Sequence, residues 1–86
     1  MTTAKTRKTD AAKIATIAAR HEADGWQSYP AYSGRCMFGR KCPGIVCPGY
    51  DVQKVVAAVR RAGIRNPSVD NMGCEMVVYW PNVKAD

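Results

Sequence analysis

The sequence predicts an α+β fold, a small two-layer domain in which about three β-strands pack against two α-helices in the order α-β-β-α-β. Two stretches carry apolar residues at helical spacing, two short β-prone segments lie among glycines, and a β-rich run precedes Pro81. With 86 residues, 47% of them hydrophobic and 23% charged, the chain suits a single domain over residues 9–86. Residues 1–8 are polar and basic, which predicts a flexible tail.

A first amphipathic helix is predicted to run as far as Asp24, with Thr9 as its N-cap and Gly25 as its stop. His21, the sole histidine, is expected to be a packed residue at the edge of the core rather than a ligand or a base. Helical spacing places five residues on the inner face of this helix: Ala11, Ile14, Ile17, Ala18 and His21.

Two short strands are predicted next, around Tyr32–Phe38 and Gly44–Cys47, joined by a turn that contains glycine. The region from Trp26 to Gly49 is rich in Gly, Pro, Cys and aromatic residues, a composition typical of short strands and tight turns.

A second helix is the clearest element, predicted from Tyr50 or Asp51 to Ala62 with Gly63 as its stop. Four valines and one alanine form its apolar stripe: Val52, Val55, Val56, Val59 and Ala62. The stripe is expected to pack on the last strand, either through Met76, Val78 and Trp80 or, in the opposite register, through Val77 and Tyr79.

The segment after this helix, residues 66–73, combines Asn, Pro, Asp and Gly and is predicted to be a turn. A third strand is predicted over Cys74–Trp80, because this run is rich in β-branched and aromatic residues and ends at Pro81.

Charge is the strongest functional signal in the sequence. Thirteen Lys and Arg against seven Asp and Glu give a net charge of +6. Between residues 35 and 65, seven cations are opposed by Asp51 alone, so this region accounts for the whole excess. A region of one sign attracts phosphates, acidic protein surfaces or anionic lipid headgroups, although a solubilising surface has the same composition.

The predicted ligand-binding residues combine these cations with glycines, which let a backbone approach a ligand closely, and with aromatic rings, which stack on bases. They are Tyr32, Gly34, Arg35, Phe38, Gly39, Arg40, Lys41, Arg60, Arg61 and Arg65.

Catalysis is not predicted. The loop over residues 33–45 overlaps the spacing of a Walker A motif, but Lys41 comes one place late, no Ser or Thr follows it, and Pro43 opposes the required helix. The chain also has no motif of paired carboxylates for general acid–base chemistry. We therefore expect a binding protein that needs no cofactor.

The four cysteines allow a zinc site formed by Cys36, Cys42, Cys47 and Cys74, but the gaps between them are at or beyond those usual in zinc knuckles. Free thiols, buried or partly buried, are the preferred interpretation. The N-terminus has no secretory signal pattern, and no apolar run could span a bilayer, so a cytoplasmic location is expected, where thiols are reduced.

The stretch from Ser33 to Ile45, including Ser33-Gly34-Arg35-Cys36-Met37-Phe38-Gly39-Arg40-Lys41-Cys42, resembles a Ser-Gly-Arg-Gly-Met-(Tyr/Phe)-Gly-Lys-x-Cys motif of small bacteriophage and prophage proteins. Asp70-Asn71-Met72-Gly73 and the run over residues 77–81 are similar to the C-terminal segment of the same group. Together these matches cover about half of the chain. Cys36 departs from the motif, which has glycine there. The resemblance implies a phage protein of the bacterial cytoplasm, with counter-defence roles such as anti-CRISPR inhibition or capture of a signalling nucleotide.

Three functions stay open at this point. The first is capture of an anionic nucleotide or nucleic acid, and the second is inhibition by docking on a host defence protein. The third is a zinc-stapled regulator that binds nucleic acid. The sequence is compatible with a homo-oligomer and indicates no membrane partner.

Overall fold

The computed structural model describes residues 9–34 and 39–85, and within them the chain forms two α-helices and one four-stranded antiparallel sheet. The elements are α1 (Asp10–Arg20), β1 (Gln27–Tyr32), β2 (Cys42–Pro48), α2 (Val52–Arg61), β3 (Ser68–Met72) and β4 (Glu75–Tyr79). The α+β class is confirmed. The predicted strand count is wrong, because there are four strands and their order along the chain is α-β-β-α-β-β.

Both helices are flanked by the capping residues that the sequence predicts, although α1 is shorter than predicted. The Thr9 hydroxyl caps α1 by accepting a hydrogen bond from the backbone N–H of Ala12 at 3.1 Å. The α-helix ends at Arg20, four residues earlier than predicted, and a 3-10 turn over Glu22–Asp24 continues to Gly25, whose φ is +89°. Gly63, also at φ +89°, follows α2 in the same way.

The sheet has the strand order β1-β2-β4-β3. Because β2 and β3 each run antiparallel to β4, they are parallel to one another and α2 is the crossover between them. Within the described residues both helices pack on one face of this sheet, and neither has the length and apolar character to cross a membrane.

The first predicted strand is misplaced. Of Tyr32–Phe38, only Tyr32 lies in β1, Ser33 and Gly34 follow the strand, and residues 35–38 lie outside the described part of the chain. β1 instead occupies Gln27–Tyr32, which the sequence did not indicate because Pro30 disfavours a strand. Proline is tolerated because β1 is an edge strand whose register with β2 shifts between Tyr29 and Tyr32. The second prediction, Gly44–Cys47, is confirmed within β2.

The predicted turn over residues 66–73 is also wrong. Ser68–Met72 forms β3, an edge strand that pairs with β4 through Val69↔Val78 and its neighbours. The turn is confined to the tip of the β3–β4 hairpin, where Gly73 has φ +83°. Tertiary pairing with β4 outweighs the weak strand propensity of Asp and Asn here.

The main core lies between the helices and the sheet. Val55 and Val59 of α2 are fully buried with Val78 and Trp80, which confirms the first of the two predicted registers. The apolar residues of α1 meet the same core through Ile14, Ile17 and Ala18. The opposite face of the sheet carries a second buried cluster: Tyr32, Cys42, Val46, Val77 and Tyr79.

Candidate functional site

The antiparallel topology sorts the connecting segments between two ends of the sheet. One end of the sheet holds three segments: the β1–β2 connection, the α2–β3 connection and the chain that follows β4, residues 80–85. The pairs Tyr32↔Cys42 and Ser68↔Tyr79 lie at this end. At the other end the chain passes from α1 to β1, from β2 to α2, and round the β3–β4 hairpin, where Pro48 pairs with Glu75. The two ends have opposite charge.

Five exposed cations lie at the first end, which we call the cationic end: Arg40, Lys41, Arg60, Arg65 and Lys84. Arg40 and Lys41 precede β2 and share a shallow depression with Lys84. Arg60 and Arg65 line a second depression with Asn66 and Pro67. Each of the three connections at this end therefore contributes at least one cation.

No residue of the cationic end forms an ion pair with any carboxylate among the described residues. Two described carboxylates lie near this end. Asp10 lines a depression with Lys84 and has its Oδ1 3.9 Å from the Nζ of Lys13, and Asp70, two residues into β3, accepts a hydrogen bond from the Tyr32 hydroxyl. The five cations are exposed and form no ion pair with a described carboxylate, which suits them to an external anion.

Four acids lie at the opposite end, which we call the acidic end: Glu22, Asp24, Asp51 and Glu75. Two cations, Arg20 and Lys54, accompany them, and the Nζ of Lys54 lies 3.9 Å from Asp51 Oδ1. The cations of residues 35–65 therefore do not all lie at one end of the sheet, because Lys54 lies at the acidic end. Lys84 lies outside that sequence window but at the cationic end.

The acidic end is built largely by internal contacts. Asp51 is only 5% exposed, and its Oδ2 accepts a hydrogen bond from the indole Nε1–H of Trp26 at 2.9 Å. The His21 ring stacks on Trp26 with centroids 4.1 Å apart, and its Nδ1 lies 3.0 Å from Asp24 Oδ2. His21 is thus a packed, half-buried residue at the edge of the core, as predicted.

Two of the predicted ligand-binding residues have structural roles instead. Tyr32 is 7% exposed and its hydroxyl donates a hydrogen bond to Asp70 across the sheet, so its ring offers no stacking surface. A Cβ placed on Gly34 would lie 2.1 Å from the Tyr32 hydroxyl oxygen. The absence of a side chain at Gly34 therefore serves packing on Tyr32.

The other predicted residues are distributed as follows. Gly39 has φ +67°, which fits a turn before β2, and no atom of the described segments lies within 4 Å of its Cβ position. Arg61 lies at the last turn of α2 but lines the groove between the helices. Arg35 and Phe38 fall outside the described residues. Sequence reasoning missed Lys84, which no local pattern connects with Arg40 and Lys41.

The cysteines do not form the zinc site considered from sequence. Cys42 is disulfide-bonded, so its sulfur offers no thiolate to a metal, and Cys47 and Cys74 are free thiols. The described residues contain no group of three or more potential metal ligands. The disulfide at Cys42 corrects the expectation of four free thiols.

Cys47 is buried in the main core, whereas Cys74 is exposed at the hairpin. Burial, together with the negative charges of Asp51 and Glu75, raises the pKa of the Cys47 thiol to about 11. Cys47 therefore stays protonated and unreactive at neutral pH.

Comparisons with protein-family models, with curated proteins and with solved structures find no match for this chain.

Proposed function

We propose that this protein binds the phosphate backbone of a nucleic acid through its cationic end, and that it acts by binding rather than by catalysis. The observation that carries the proposal is the collection, at one end of the sheet, of five exposed cations that form no ion pair with any carboxylate in the described part of the chain. Lys and Arg placed in this way neutralise phosphates and release counterions, which drives binding without sequence recognition.

The spacing of the cations favours a polyanion over a single nucleotide. Arg40 precedes β2 and Arg65 precedes β3, and β4 lies between these strands, so the cations come from strands that are about 10 Å apart. The depressions at this end lie apart and are lined mainly by exposed residues. Capture of a nucleotide would instead call for a concave site that encloses most of the ligand.

Gly34 does not favour a nucleotide site either. Gly34 packs against the Tyr32 side chain, and its lack of a Cβ makes room for the Tyr32 hydroxyl rather than for a ligand. A duplex, by contrast, presents about one charge per 1.7 Å of its axis and can contact both depressions together. The resemblance to phage proteins would place this binding in an infected bacterial cell, where a counter-defence role is part of the same proposal.

Fluorescence anisotropy with labelled duplex DNA, duplex RNA, single strands and free nucleotides, at about 50 mM salt, tests the proposal. We expect duplexes to bind and mononucleotides to bind at least about tenfold more weakly, since fewer phosphates are contacted. Failure of every oligonucleotide to bind under these conditions would overturn it.

Charge reversal locates the interface. Arg40→Glu and Arg65→Glu are each expected to weaken duplex binding about tenfold, because each replaces a phosphate contact by repulsion. Lys54→Glu changes the net charge equally but at the acidic end, and is expected to change affinity by less than about twofold. Equal losses in all three variants would show that net charge alone governs binding.

A second candidate is docking on an acidic protein surface, as in an inhibitor of a host defence complex. The same five cations support it, because carboxylates and phosphates attract them alike. A complex with a host protein that survives nuclease treatment, together with failure to bind free oligonucleotides, would favour this candidate.

A further inference from the structure

A groove between the two helices forms a second charged surface, distinct from the depressions of the cationic end. Its cavity has a volume of about 370 Å³. Its apolar residues are Ile17 of α1, Ala58 of α2 and Ala62, the C-cap of α2. The helices run antiparallel here, because α1 ends and α2 begins at the acidic end of the sheet.

The charged side chains that line the groove are cationic. Lys13 and Arg20 come from α1 and Arg61 comes from α2, while no acid lines the groove among the described residues. Lys13 and Arg20 are seven residues apart on α1, which is two helical turns or about 10.5 Å. The Lys13–Asp10 pair at 3.9 Å is exposed and i,i+3, so it compensates little of this charge.

The groove is also shaped for close approach. Ala58 and Ala62 are one turn apart on α2 and have no side chain beyond Cβ, so a third helix could come near the α2 backbone. Ile17 is only 7% exposed and forms the floor of the groove, so the accessible apolar surface comes mainly from the half-buried Ala58 and Ala62. An occupant must therefore have an apolar stripe and negative charges on its flanks.

We propose that this interhelical groove docks an acidic amphipathic helix of a partner protein, with Lys13 and Arg20 on one side of that helix and Arg61 on the other. A helix is the occupant that matches a two-turn spacing of cations along an apolar strip. A second copy of this chain is a poorer occupant, because three of its four acids at the acidic end lie in turns or at the hairpin, and Asp51 is buried.

This proposal does not depend on nucleic-acid binding, because it uses different residues. The probe is a fluorescein-labelled peptide of about 18 residues, built from Leu on one face and Glu on its flanks, which is long enough to cover both helices. One control peptide carries Lys in place of Glu. A second control has the same composition in scrambled order, which removes the apolar stripe and keeps the charge.

We expect the acidic peptide to bind and to shift the amide NMR signals of Ile17, Ala58 and Ala62, while the two control peptides do not. Arg20→Gln and Arg61→Gln should each weaken binding at least about threefold, as expected for loss of one interfacial charge pair. Arg65→Gln, at the cationic end, should leave peptide affinity unchanged.

Several outcomes would overturn the proposal. These are equal binding of the scrambled peptide, shifts confined to residues outside the groove, and no shifts at about 1 mM peptide, where even a weak complex would be populated. Shifts of the groove amides by duplex DNA, abolished by Arg20→Gln, would assign the groove to nucleic acid instead of a protein helix. Circular dichroism of each variant establishes that the fold is retained.

Discussion

The two ends of the sheet differ in how their charges are used. At the acidic end, Asp51 is buried against Trp26 and Asp24 lies beside His21, so acids take part in holding the structure together. At the cationic end, Arg40, Lys41 and Arg65 are exposed and contact no carboxylate of the described residues. Charges that a fold uses internally are compensated, whereas charges left uncompensated on one surface are available to a partner.

The largest expected effect is a loss of stability, without a loss of duplex binding, on substitution of Asp51. Asp51→Ala should lower the free energy of unfolding by about 1–3 kcal/mol, because it leaves the buried indole N–H of Trp26 without an acceptor. Urea denaturation measures this loss. Under native conditions, duplex affinity should stay within about twofold of wild type, since the change lies far from the cationic end.

Asp51→Asn is the matched control, since its side-chain carbonyl can still accept from Trp26 and the loss should be smaller. A large drop in duplex affinity for a folded Asp51→Ala protein would contradict the division of roles between the two ends.

A second prediction concerns the glycines before β2. Gly34→Ala should cost about 1–3 kcal/mol, because the new Cβ would overlap the Tyr32 hydroxyl and displace it. Gly39→Ala should cost about 1 kcal/mol from its positive φ, since no atom of the described residues lies within 4 Å of its Cβ position. Thermal unfolding with a van't Hoff analysis compares the two variants. An unchanged stability for Gly34→Ala would remove the packing role assigned to Gly34.

A third prediction uses the buried thiol at the acidic end. The folded protein holds the pKa of Cys47 at about 11, against 9.0 for an unperturbed thiol, so unfolding releases a proton between these values. The raised pKa means that stability is fully present below about pH 9 and falls as the pH rises toward 11. Cys47→Ser should flatten this part of the stability curve measured by urea denaturation at each pH. A wild-type curve that stays level from pH 9 to 11 would contradict the assignment.

The smallest expected effects come from thiol chemistry at neutral pH. Iodoacetamide should modify the exposed Cys74 and leave buried Cys47 unmodified in the folded protein. Cys42 should become reactive only after reduction and unfolding, because its sulfur is in a disulfide. Peptide mass spectrometry identifies each modified site. Modification of Cys42 without a reductant would refute the disulfide.

The helices could be predicted from sequence because their signals are local. Thr9, Gly25 and Gly63 mark boundaries through backbone geometry that neighbouring residues determine. The valine stripe likewise defines the buried side of α2 without knowledge of the sheet. The α+β class follows from the same signals.

The edge strands could not be predicted, because pairing with distant residues determines them. β3 contains Asp70 and Asn71, which favour turns in isolation, and it becomes a strand through contacts with β4. β1 contains Pro30, which only an edge strand tolerates.

The candidate site was predictable only in part, for a related reason. A window of sequence finds Arg40, Lys41, Arg60 and Arg65, but it also includes Lys54, which topology carries to the opposite end. Lys84 joins the cationic end from the C-terminal segment, more than forty residues from Arg40. The burial of Tyr32 likewise depends on contacts across the sheet.

The salt dependence of duplex binding tests the central claim most directly. If the five cations of the cationic end each neutralise one phosphate, a plot of log K against log salt concentration should have a slope of about −4 to −5. An Arg40→Gln/Arg65→Gln variant should reduce the magnitude of that slope by about 2, while Lys54→Gln leaves it unchanged. A slope near zero, or one that changes equally in both variants, would contradict the account.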